Sequence, residues 1–413
     1  MCTGVRRALV SLAALVVAPA LAGCGGVGAS PPAQDVGKQL TIYSGLPLQG
    51  PSAAISQEIV GGEKLALADA GGHVGPLTVS YVSLDDSNAT TGKWDPGVTA
   101  ANAKAVAQDP TTIAYLGDYN SGATAVSLPL INAAGILQVS PASPYVGLTS
   151  ALDAGQDEPE RFYPTGRRTF GRVAPGDPVQ AAAQVALLRR LGVRRLYVVA
   201  DQDPFDTPLA QIVAGDAQRA GIEVRGQDTI TIAPGSNFTG EVAKIAESGA
   251  QAVFVSATAT SEAAQLARQL HAAVPRLSLL ASSAMLNTVF TSNLGTAESA
   301  TLVGSPVLAP HLYPASAQGV LARYGHRFAA SPEAYVLYGY EAMSAVLAAI
   351  RTAGDRGDDR QAVIDKLFAI HDRSSVLGVY SMQPSGETTL SSYAIDKVVG
   401  GTPVFWRAFN TPR

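Results

Sequence analysis

The sequence predicts an α/β protein made of two similar units, and three observations carry this prediction. Short apolar strands alternate with helices from Leu40 onward. The alternation pauses over a polar stretch without periodicity, TSALDAGQDEPERFYPTGRRTFGR, and then resumes. The chain has 413 residues, 47% of them hydrophobic, which suits about two globular units with buried cores. Because βαβα alternation is typical of a parallel sheet with helices on both faces, we predict two such sheets with a cleft between them.

The first unit is predicted from four strands and the helices between them. The strands read LTIYSG, LTVSYVSLDD, TIAYLGD and ILQVS. The first helix, PSAAISQEIVGGEKLALADAGG, opens with Pro51, which suits a first helical turn, and closes on two glycines. A second helix, PGVTAANAKAVAQDP, lies between prolines, and a third begins at Ser121. This order indicates a parallel sheet covered by helices.

The second unit continues the same pattern. Four segments are predicted helices: PVQAAAQVALLRRLG, FDTPLAQIVAGDAQRAG, FTGEVAKIAESG and SEAAQLARQLHAA. They alternate with the predicted strands RRLYVVAD, IEVRGQDTI and AQAVFVSA, which implies a second parallel sheet. Three more helices follow, ASAQGVLARYGHRFA, EAYVLYGYEAMSAVLAAIRTAG and RQAVIDKLFAIH, and the tail reads as strands VLGVYSM, SSYAIDKVV and PVFWRAF. Segments that cross between the two units would form a hinge.

The N-terminus carries the pattern of an export signal. Arg6 and Arg7 form a positive region, and the apolar stretch that follows is too short to span a membrane. The stretch ends in Leu-Ala-Gly-Cys, which resembles the lipobox of bacterial lipoproteins. The resemblance implies that residues 1–23 are a signal peptide, that Cys24 carries a lipid, and that residues 24–39 form a flexible tether. A soluble secretory signal with an incidental cysteine is the alternative.

Composition and motifs exclude several classes of function. The net charge is −4 without a basic cluster, so no nucleic-acid partner is expected. The five histidines lack the spacing of metal ligands, so neither a metal nor a cofactor is expected. Ser121 does not lie in a G-x-S-x-G nucleophile elbow, and we expect no enzyme activity. The acidic pairs Asp85-Asp86 and Asp358-Asp359 are interpreted as solvated or helix-capping residues.

The junction between strand TIAYLG and the helix that begins at Ser121 predicts a ligand site. Ligands of open parallel sheets bind beyond the C-terminal ends of the strands. The first N–H groups of a helix lack partners and carry the positive end of its dipole. A ligand carboxylate could dock there beside the Ser121 hydroxyl, with Gly122 admitting a close approach. In the alternative interpretation, Asn120 or Ser121 caps its own helix.

Six motifs follow the predicted strand ends and the first crossing between units. They are PLQGPSAA, GDYNSGATA, VSPASPYVGLT, RTFGRVAPGDPVQA, VVADQDPFDTPLA and AVFVSATATSEAAQLARQL. Their order resembles the type I periplasmic binding proteins, specifically the branched-chain amino-acid-binding proteins that feed ABC importers. The resemblance implies two Rossmann-like lobes joined by a multi-strand hinge, in a Venus-flytrap architecture. It places residues 40–171 with 309–378 in lobe 1 and residues 172–308 with 379–413 in lobe 2.

The same resemblance assigns ligand-binding residues to loops of both lobes. In lobe 1 the carboxylate-binding serine falls on Ser121, and a main-chain contact in the next loop falls on Ala142. In lobe 2 the aromatic lid falls on Phe205. The other candidates are neighbours of these residues, or strand-end and first-loop positions that face the cleft: Tyr119, Asn120, Ser143, Ala259, Ser283 and Ile55.

Three departures from the family pattern bear on the ligand. Pro144 replaces a hydroxyl residue that helps hold the ligand, and Ile55 stands at the aromatic position of the first loop. Ser283 stands where leucine binders have an acid that pairs with the ligand ammonium. Because a buried ammonium without an anion is costly, a related apolar acid or amide fits as well as a branched-chain amino acid.

Two further groups of residues are interpreted as structural. Three acids could supply charge to a ligand, but are taken instead as solvated loop residues or helix caps: Asp118, Asp203 and Asp206. Three tyrosines are taken as packing residues of a helix between the lobes, with a stacking box as the alternative: Tyr335, Tyr338 and Tyr340.

The sequence therefore predicts a monomeric solute-binding lipoprotein, anchored by its lipid to the outer face of the cell membrane. A small molecule would dock on lobe 1, and closure of lobe 2 would bury it. An ABC permease in the membrane would accept the closed form. A lipid-anchored sensor that signals to a membrane partner, and a surface scaffold that binds no ligand, are the alternatives.

Overall fold

The computed structural model describes Met1, residues 36–328 and residues 333–411. The predicted signal peptide, the lipid attachment at Cys24 and most of the predicted tether lie outside the described residues. Within the described ranges, no helix is long and apolar enough to cross a membrane.

The strands of the described chain form two large sheets and one hairpin. They are β1 (Gln39–Leu46), β2 (His73–Val74), β3 (Leu77–Asp85), β4 (Thr112–Gly117), β5 (Leu137–Ser140), β6 (Phe170–Arg172), β7 (Arg195–Asp201), β8 (Glu223–Ile230), β9 (Ala252–Ser256), β10 (Ser278–Ala281), β11 (Thr301–Ser305), β12 (Arg373–Ser375), β13 (Gly378–Tyr380), β14 (Ser392–Val399) and β15 (Thr402–Asn410). The first sheet has the order β2-β3-β1-β4-β5-β6, and the second has the order β15-β14-β11-β10-β9-β7-β8.

The helices of the described chain alternate with these strands as predicted. They are α1 (Ala53–Asp69), α2 (Pro96–Gln108), α3 (Ser121–Ala133), α4 (Asp177–Arg190), α5 (Asp206–Arg219), α6 (Thr239–Glu247), α7 (Ser261–Ala273), α8 (Thr288–Thr291), α9 (Ala315–Phe328), α10 (Tyr335–Ala353) and α11 (Arg360–Phe368). Pro51 lies in a short 3₁₀ turn that leads into α1, in line with its predicted role at a helix start.

The first sheet is parallel apart from β2, which pairs antiparallel with β3. Its largest core combines early and late parts of the chain. Leu40 and Ile42 of β1 lie in one buried cluster with Val336 of α10 and Val363 of α11. The late helices α10 and α11 therefore pack on the first sheet, and the residue limits of the two lobes remain a prediction.

The second sheet is mostly parallel, as predicted, and two antiparallel strands extend one edge of it. Strands β7 to β11 pair in parallel, but β14 pairs antiparallel with β11, and β15 with β14. Ser305 at the end of β11 pairs with Ala394 near the start of β14, so β14 runs along β11 in the opposite direction. A two-residue turn, Gly400 and Gly401 at φ 58° and 77°, then returns the chain as β15.

Candidate functional site

A cavity of about 140 Å³ lies where the C-terminal ends of strands from both sheets meet. Loops that follow β3, β4 and β5 form one wall, and loops that follow β7, β9, β10 and β11 form the other. The cavity is lined by Trp94, Tyr119, Asn120, Ser121, Gly122, Ala142, Pro144, Asp177, Gln180, Asp203, Phe205, Asp206, Leu209, Thr258, Ser283, Ala284, Pro306 and Tyr335. The cavity lies at the strand-end location that the sequence predicted for a ligand site.

Six of the nine predicted ligand-binding residues line this cavity: Tyr119, Asn120, Ser121, Ala142, Phe205 and Ser283. The other three do not. Ser143 is fully buried, and its hydroxyl is hydrogen-bonded to Thr124. Ile55 packs within α1 against an apolar cluster that contains Leu46. At Ala259, the main-chain N–H donates to the carbonyl of Ala284 at 3.2 Å, and the preceding residue lines the cavity instead.

The N-terminus of α3 opens into the cavity without a side-chain cap. Asn120 is the N-cap residue, but its side chain makes no capping hydrogen bond in the described structure. Its Oδ1 atom is buried without a partner among the described residues. The Ser121 hydroxyl accepts a hydrogen bond from the main-chain N–H of Tyr145 at 3.3 Å. The self-capping interpretation is therefore wrong, and the helix end can receive an anion.

The loop after β5 is held by Ser140 beneath the cavity. Its hydroxyl accepts from the N–H groups of Ala142 and Ser143, at 3.1 and 2.9 Å. The same hydroxyl donates to the carbonyl of Asp118 at 2.8 Å. The N–H of Ala142 is thus engaged by the protein, and Pro144 has no N–H to offer. A main-chain contact with a ligand at this loop would have to use a carbonyl.

Asp118 is not the solvated or capping residue that the sequence predicted. It is fully buried, and burial raises the pKa of its carboxyl group to about 7. Asp86, also predicted as a solvated or capping residue, is fully buried as well, and burial raises its pKa to about 8. Both acids directly follow strands of the first sheet, Asp86 after β3 and Asp118 after β4. Asp359, by contrast, caps α11 as predicted.

The opposite wall of the cavity carries two buried acids, Asp206 and Asp177, whose burial was not predicted from the sequence. Asp206 begins α5 and is only 6% exposed, so its prediction as a solvated residue or cap is wrong. Asp177 begins α4, is 3% exposed and was not identified. Asp203 accepts a hydrogen bond from the N–H of Phe205 at 2.8 Å, which agrees with its predicted role as a loop acid.

The charge of the cavity wall is acidic. Burial and the neighbouring carboxylate of Asp203 raise the pKa of Asp206 well above its usual value. Burial raises the pKa of Asp177 to about 7, and the positive charge of Arg172 opposes this rise. No lysine, arginine or histidine of the described chain lines the cavity. A ligand with a positively charged group would favour the ionised forms of these acids, and would then gain an anionic partner that a simple acid or amide would not use.

Aromatic rings also line the cavity, and two of them, Trp94 and Tyr335, were not among the predicted ligand-binding residues. Trp94 lies in the loop after β3, and Tyr335, predicted to be a packing residue, is mostly buried yet lines the cavity. Gln180 of α4 holds Ser283 in place, because its Oε1 atom accepts the N–H of Ser283 at 2.7 Å. The sequence feature that could have identified Trp94 as a cavity residue is its position in a loop that follows a strand of the first sheet.

Two aromatic rings close over Gly122 at the start of α3. A Cβ atom at this glycine would lie 2.5 Å from Cζ2 of Trp94 and 3.0 Å from Cε2 of Phe205. Phe205 also packs edge-on against Tyr145, with ring centroids 5.0 Å apart. The missing side chain at Gly122 therefore lets rings from both walls meet above the helix end.

Gly122→Ala is expected to weaken ligand binding at least about tenfold, or ~1.4 kcal/mol, because Trp94 or Phe205 must move to admit the methyl group. The measurement is the ligand-induced rise in melting temperature at a fixed ligand concentration. Gly240→Ala is the matched control, since Gly240 is also the second residue of its helix and a Cβ there meets nothing within 4 Å. Equal ligand responses of the two variants would contradict the proposed closure over Gly122.

Comparison with known proteins agrees with this geometry. The model of the family described as "periplasmic binding protein" matches residues 45–402. A Leu/Ile/Val-binding protein homologue from Brucella melitensis is 25% identical over 357 residues, covering 86% of this chain and 88% of the relative. It supports a role in binding small solutes.

Two solved structures share the fold. A leucine-binding protein from Thermotoga maritima aligns with a TM-score of 0.74 at 19% identity, over 90% of this chain and 99% of that chain. An ABC-transporter solute-binding protein from R. palustris, solved with benzoate, aligns with a TM-score of 0.70 at 17% identity, over 91% of this chain and 97% of that chain. The family consists of extracytoplasmic binding proteins, not enzymes. With a family match over most of its length and the same two-sheet fold around a cavity at the strand ends, the chain belongs to the periplasmic binding protein family.

Proposed function

We propose that the protein captures a small zwitterion, an α-amino acid with an apolar side chain, and delivers it to an ABC importer. The observation that carries the proposal is that one cavity holds a group suited to a negative charge and groups suited to a positive charge. The uncapped N-terminus of α3 suits a carboxylate, and the buried acids Asp177 and Asp206 suit an ammonium group.

The ligand would dock first on the α3 side of the cavity. Its carboxylate would accept from the first N–H groups of α3 and from the Ser121 hydroxyl. Closure of the second lobe would then bring Phe205 and the two acids over the ligand and bury it. Because Asp177 and Asp206 supply the anions, the serine at position 283 no longer argues against an amino acid. Trp94, Phe205 and Tyr335 would surround the apolar side chain.

Two finer parts of the proposal concern the membrane. The lipobox-like ending at Cys24 supports attachment of the mature protein to the membrane by a lipid, and the mass of the N-terminal peptide tests this. Membership of the periplasmic binding protein family supports delivery of the closed form to an ABC permease by a monomer.

A thermal-shift series with leucine and two truncated analogues tests the ligand class. L-Leucine at about 100 times its dissociation constant should stabilise the folded protein by about 2.7 kcal/mol. 4-Methylpentanoate lacks the ammonium group and 3-methylbutylamine lacks the carboxylate, so neither should shift the melting temperature at the same concentration.

The outcomes separate the alternatives. A shift with 4-methylpentanoate alone would show that the acids do not select an ammonium group, and the ligand class would then be a simple carboxylic acid. A well-folded protein that responds to none of the common L-amino acids would contradict the amino-acid proposal and favour a scaffold.

A further inference from the structure

Asp118 packs its buried carboxyl group against the first two turns of α3, three residues before Ser121. Its relative exposure is 0%. The Tyr115 hydroxyl donates to Oδ1 at 2.6 Å. The Ser127 hydroxyl bonds Oδ2, and Nε2 of Gln138 lies 3.4 Å from the same oxygen. The carboxyl group thus joins β4, α3 and β5 behind the proposed carboxylate site.

The main chain of Asp118 organises the same region. Its N–H donates to the Thr124 hydroxyl at 3.2 Å. Its carbonyl accepts from the hydroxyls of Ser140 and Ser143, at 2.8 and 2.9 Å. Ser140 in turn fixes the loop that carries Ala142. The loops after β4 and β5 in the first wall of the cavity are therefore bonded to this one residue or to its direct partner.

The titratable groups that interact with Asp118 are acidic or phenolic: Tyr115 on β4 and Asp86, which follows β3. Glu63 on α1 interacts in turn with Tyr115, and Asp85 interacts with Asp86. Both carboxylate oxygens of Asp86 are buried without a hydrogen-bond partner among the described residues. The cation bonded to this network is Arg172, whose guanidinium donates to the carbonyl of Ser143 at 2.6 Å and pairs with Glu387.

The surroundings accommodate a neutral carboxylic acid at Asp118. A proton on Oδ2 can be donated to the Ser127 oxygen, which also accepts from Nε2 of Gln138 at 2.9 Å. Ser127 can then donate its own proton to the carbonyl of Thr124 at 3.4 Å. Oδ1 continues to accept from Tyr115. Burial raises the pKa of Asp118 to about 7, so its protonation changes near neutral pH.

We propose that Asp118 is a positioning residue that holds a proton when a ligand carboxylate docks at the N-terminus of α3, so that ligand binding is coupled to proton uptake at this residue. The inference rests on the proposed function, because it needs an anionic group at that helix end. An ionised Asp118 would place a buried negative charge behind the docking position, and the two anions would repel. The proton comes from solvent and lies on Oδ2, and no other bond changes.

The sign of the coupling follows from this repulsion. A bound carboxylate raises the affinity of Asp118 for its proton above that in the ligand-free protein. Binding is then strongest at low pH and weakens as pH rises through the ligand-free pKa, by up to about tenfold per pH unit. Asp177 and Asp206 act in the opposite direction, because an ammonium partner favours their ionised forms. A comparison with a variant that lacks only the Asp118 charge cancels their contribution.

Asp118→Asn supplies that comparison, because an amide can donate to Ser127 and accept from Tyr115 as the neutral acid does. Isothermal titration with L-leucine, from pH 6 to pH 9 in two buffers of different protonation enthalpy, gives affinity and proton uptake. The ratio of wild-type to variant dissociation constants should stay constant near pH 6 and rise toward tenfold per pH unit above pH 7. Wild-type protein should also take up more protons than the variant. Asp95→Asn, which keeps the cap of α2, should behave as wild type.

The outcomes distinguish this inference from the proposed function. Leucine binding with the same pH dependence and proton count in both proteins would overturn the role of Asp118 and leave the function standing. Absence of leucine binding would overturn the proposed ligand. In that case the infrared spectrum of the ligand-free protein at pH 6 decides: a protonated-carboxyl band that is lost in Asp118→Asn supports the neutral acid, and an unchanged band overturns it.

Discussion

Arg172→Met is expected to lower the free energy of unfolding by about 3–5 kcal/mol, because it breaks a buried ion pair and leaves its partners unsatisfied. The Arg172 side chain is fully buried. Its guanidinium donates to the carbonyls of Ser143 and Tyr145, at 2.6 and 3.0 Å, and to the Thr149 hydroxyl at 2.7 Å. It also pairs with Glu387 at 2.5 Å.

These bonds join two segments that pass between the sheets. Arg172 ends β6, and its own N–H donates to the carbonyl of Gly386 at 3.0 Å. Glu387 precedes β14, the strand that returns the chain to the second sheet. The ion pair therefore links the first and last crossings and fixes the loop of Ser143 beside the cavity.

Urea unfolding of wild type, Arg172→Met and a matched surface variant measures the effect. Arg225→Met is the control, since Arg225 pairs with Glu223 at 2.6 Å in a solvent-exposed position. Such a pair contributes about 0–1 kcal/mol. Adding Glu387→Gln to Arg172→Met should recover part of the loss, because it removes the stranded carboxylate. If Arg172→Met costs no more than the control, the buried pair does not hold the crossings together.

The alternation of elements in the fold could be predicted because its signals are local. Apolar runs such as TIAYLG and helix ends marked by proline or glycine each depend on a few adjacent residues. The direction of β14 could not be predicted in this way. It depends on which edge of the second sheet the chain meets after α11, and that is set by packing of distant segments.

The two walls of the cavity differ in how much the sequence revealed. Residues from Tyr119 to Gly122 form a contiguous strand-to-helix junction, so their place in the cavity lining could be predicted. Asp177 reads as an ordinary first-turn acid of a helix, and only the closed arrangement of the walls places it in the cavity. Asp118 reads as a loop acid because the partners that bury it lie up to 20 residues away, as Gln138 does.

Asp206→Asn is expected to weaken binding of L-leucine by about 2–5 kcal/mol, or roughly 30-fold or more, because it removes a buried anionic partner of the ammonium group. The substitution keeps the size of the side chain, and its amide can still contact the Ser256 hydroxyl, which bonds the wild-type carboxylate at 3.2 Å. Isothermal titration at constant pH measures the dissociation constant. Binding of 4-methylpentanoate, too weak in the wild-type protein to shift its melting temperature, should strengthen, since that ligand has no ammonium group and is repelled by the wild-type carboxylate.

The opposite responses of the two ligands make the result specific to charge. A general distortion of α5 would weaken leucine binding without strengthening that of 4-methylpentanoate, whereas loss of one anion weakens only binding of the zwitterion. Asp216→Asn controls for acid loss on the same helix, because Asp216 pairs with Arg219 and lies outside the cavity lining. If Asp206→Asn binds leucine as Asp216→Asn does, Asp206 does not hold the ammonium group. Asp177 would then be the other buried acid that lines the cavity, and Asp177→Asn should weaken binding of L-leucine instead.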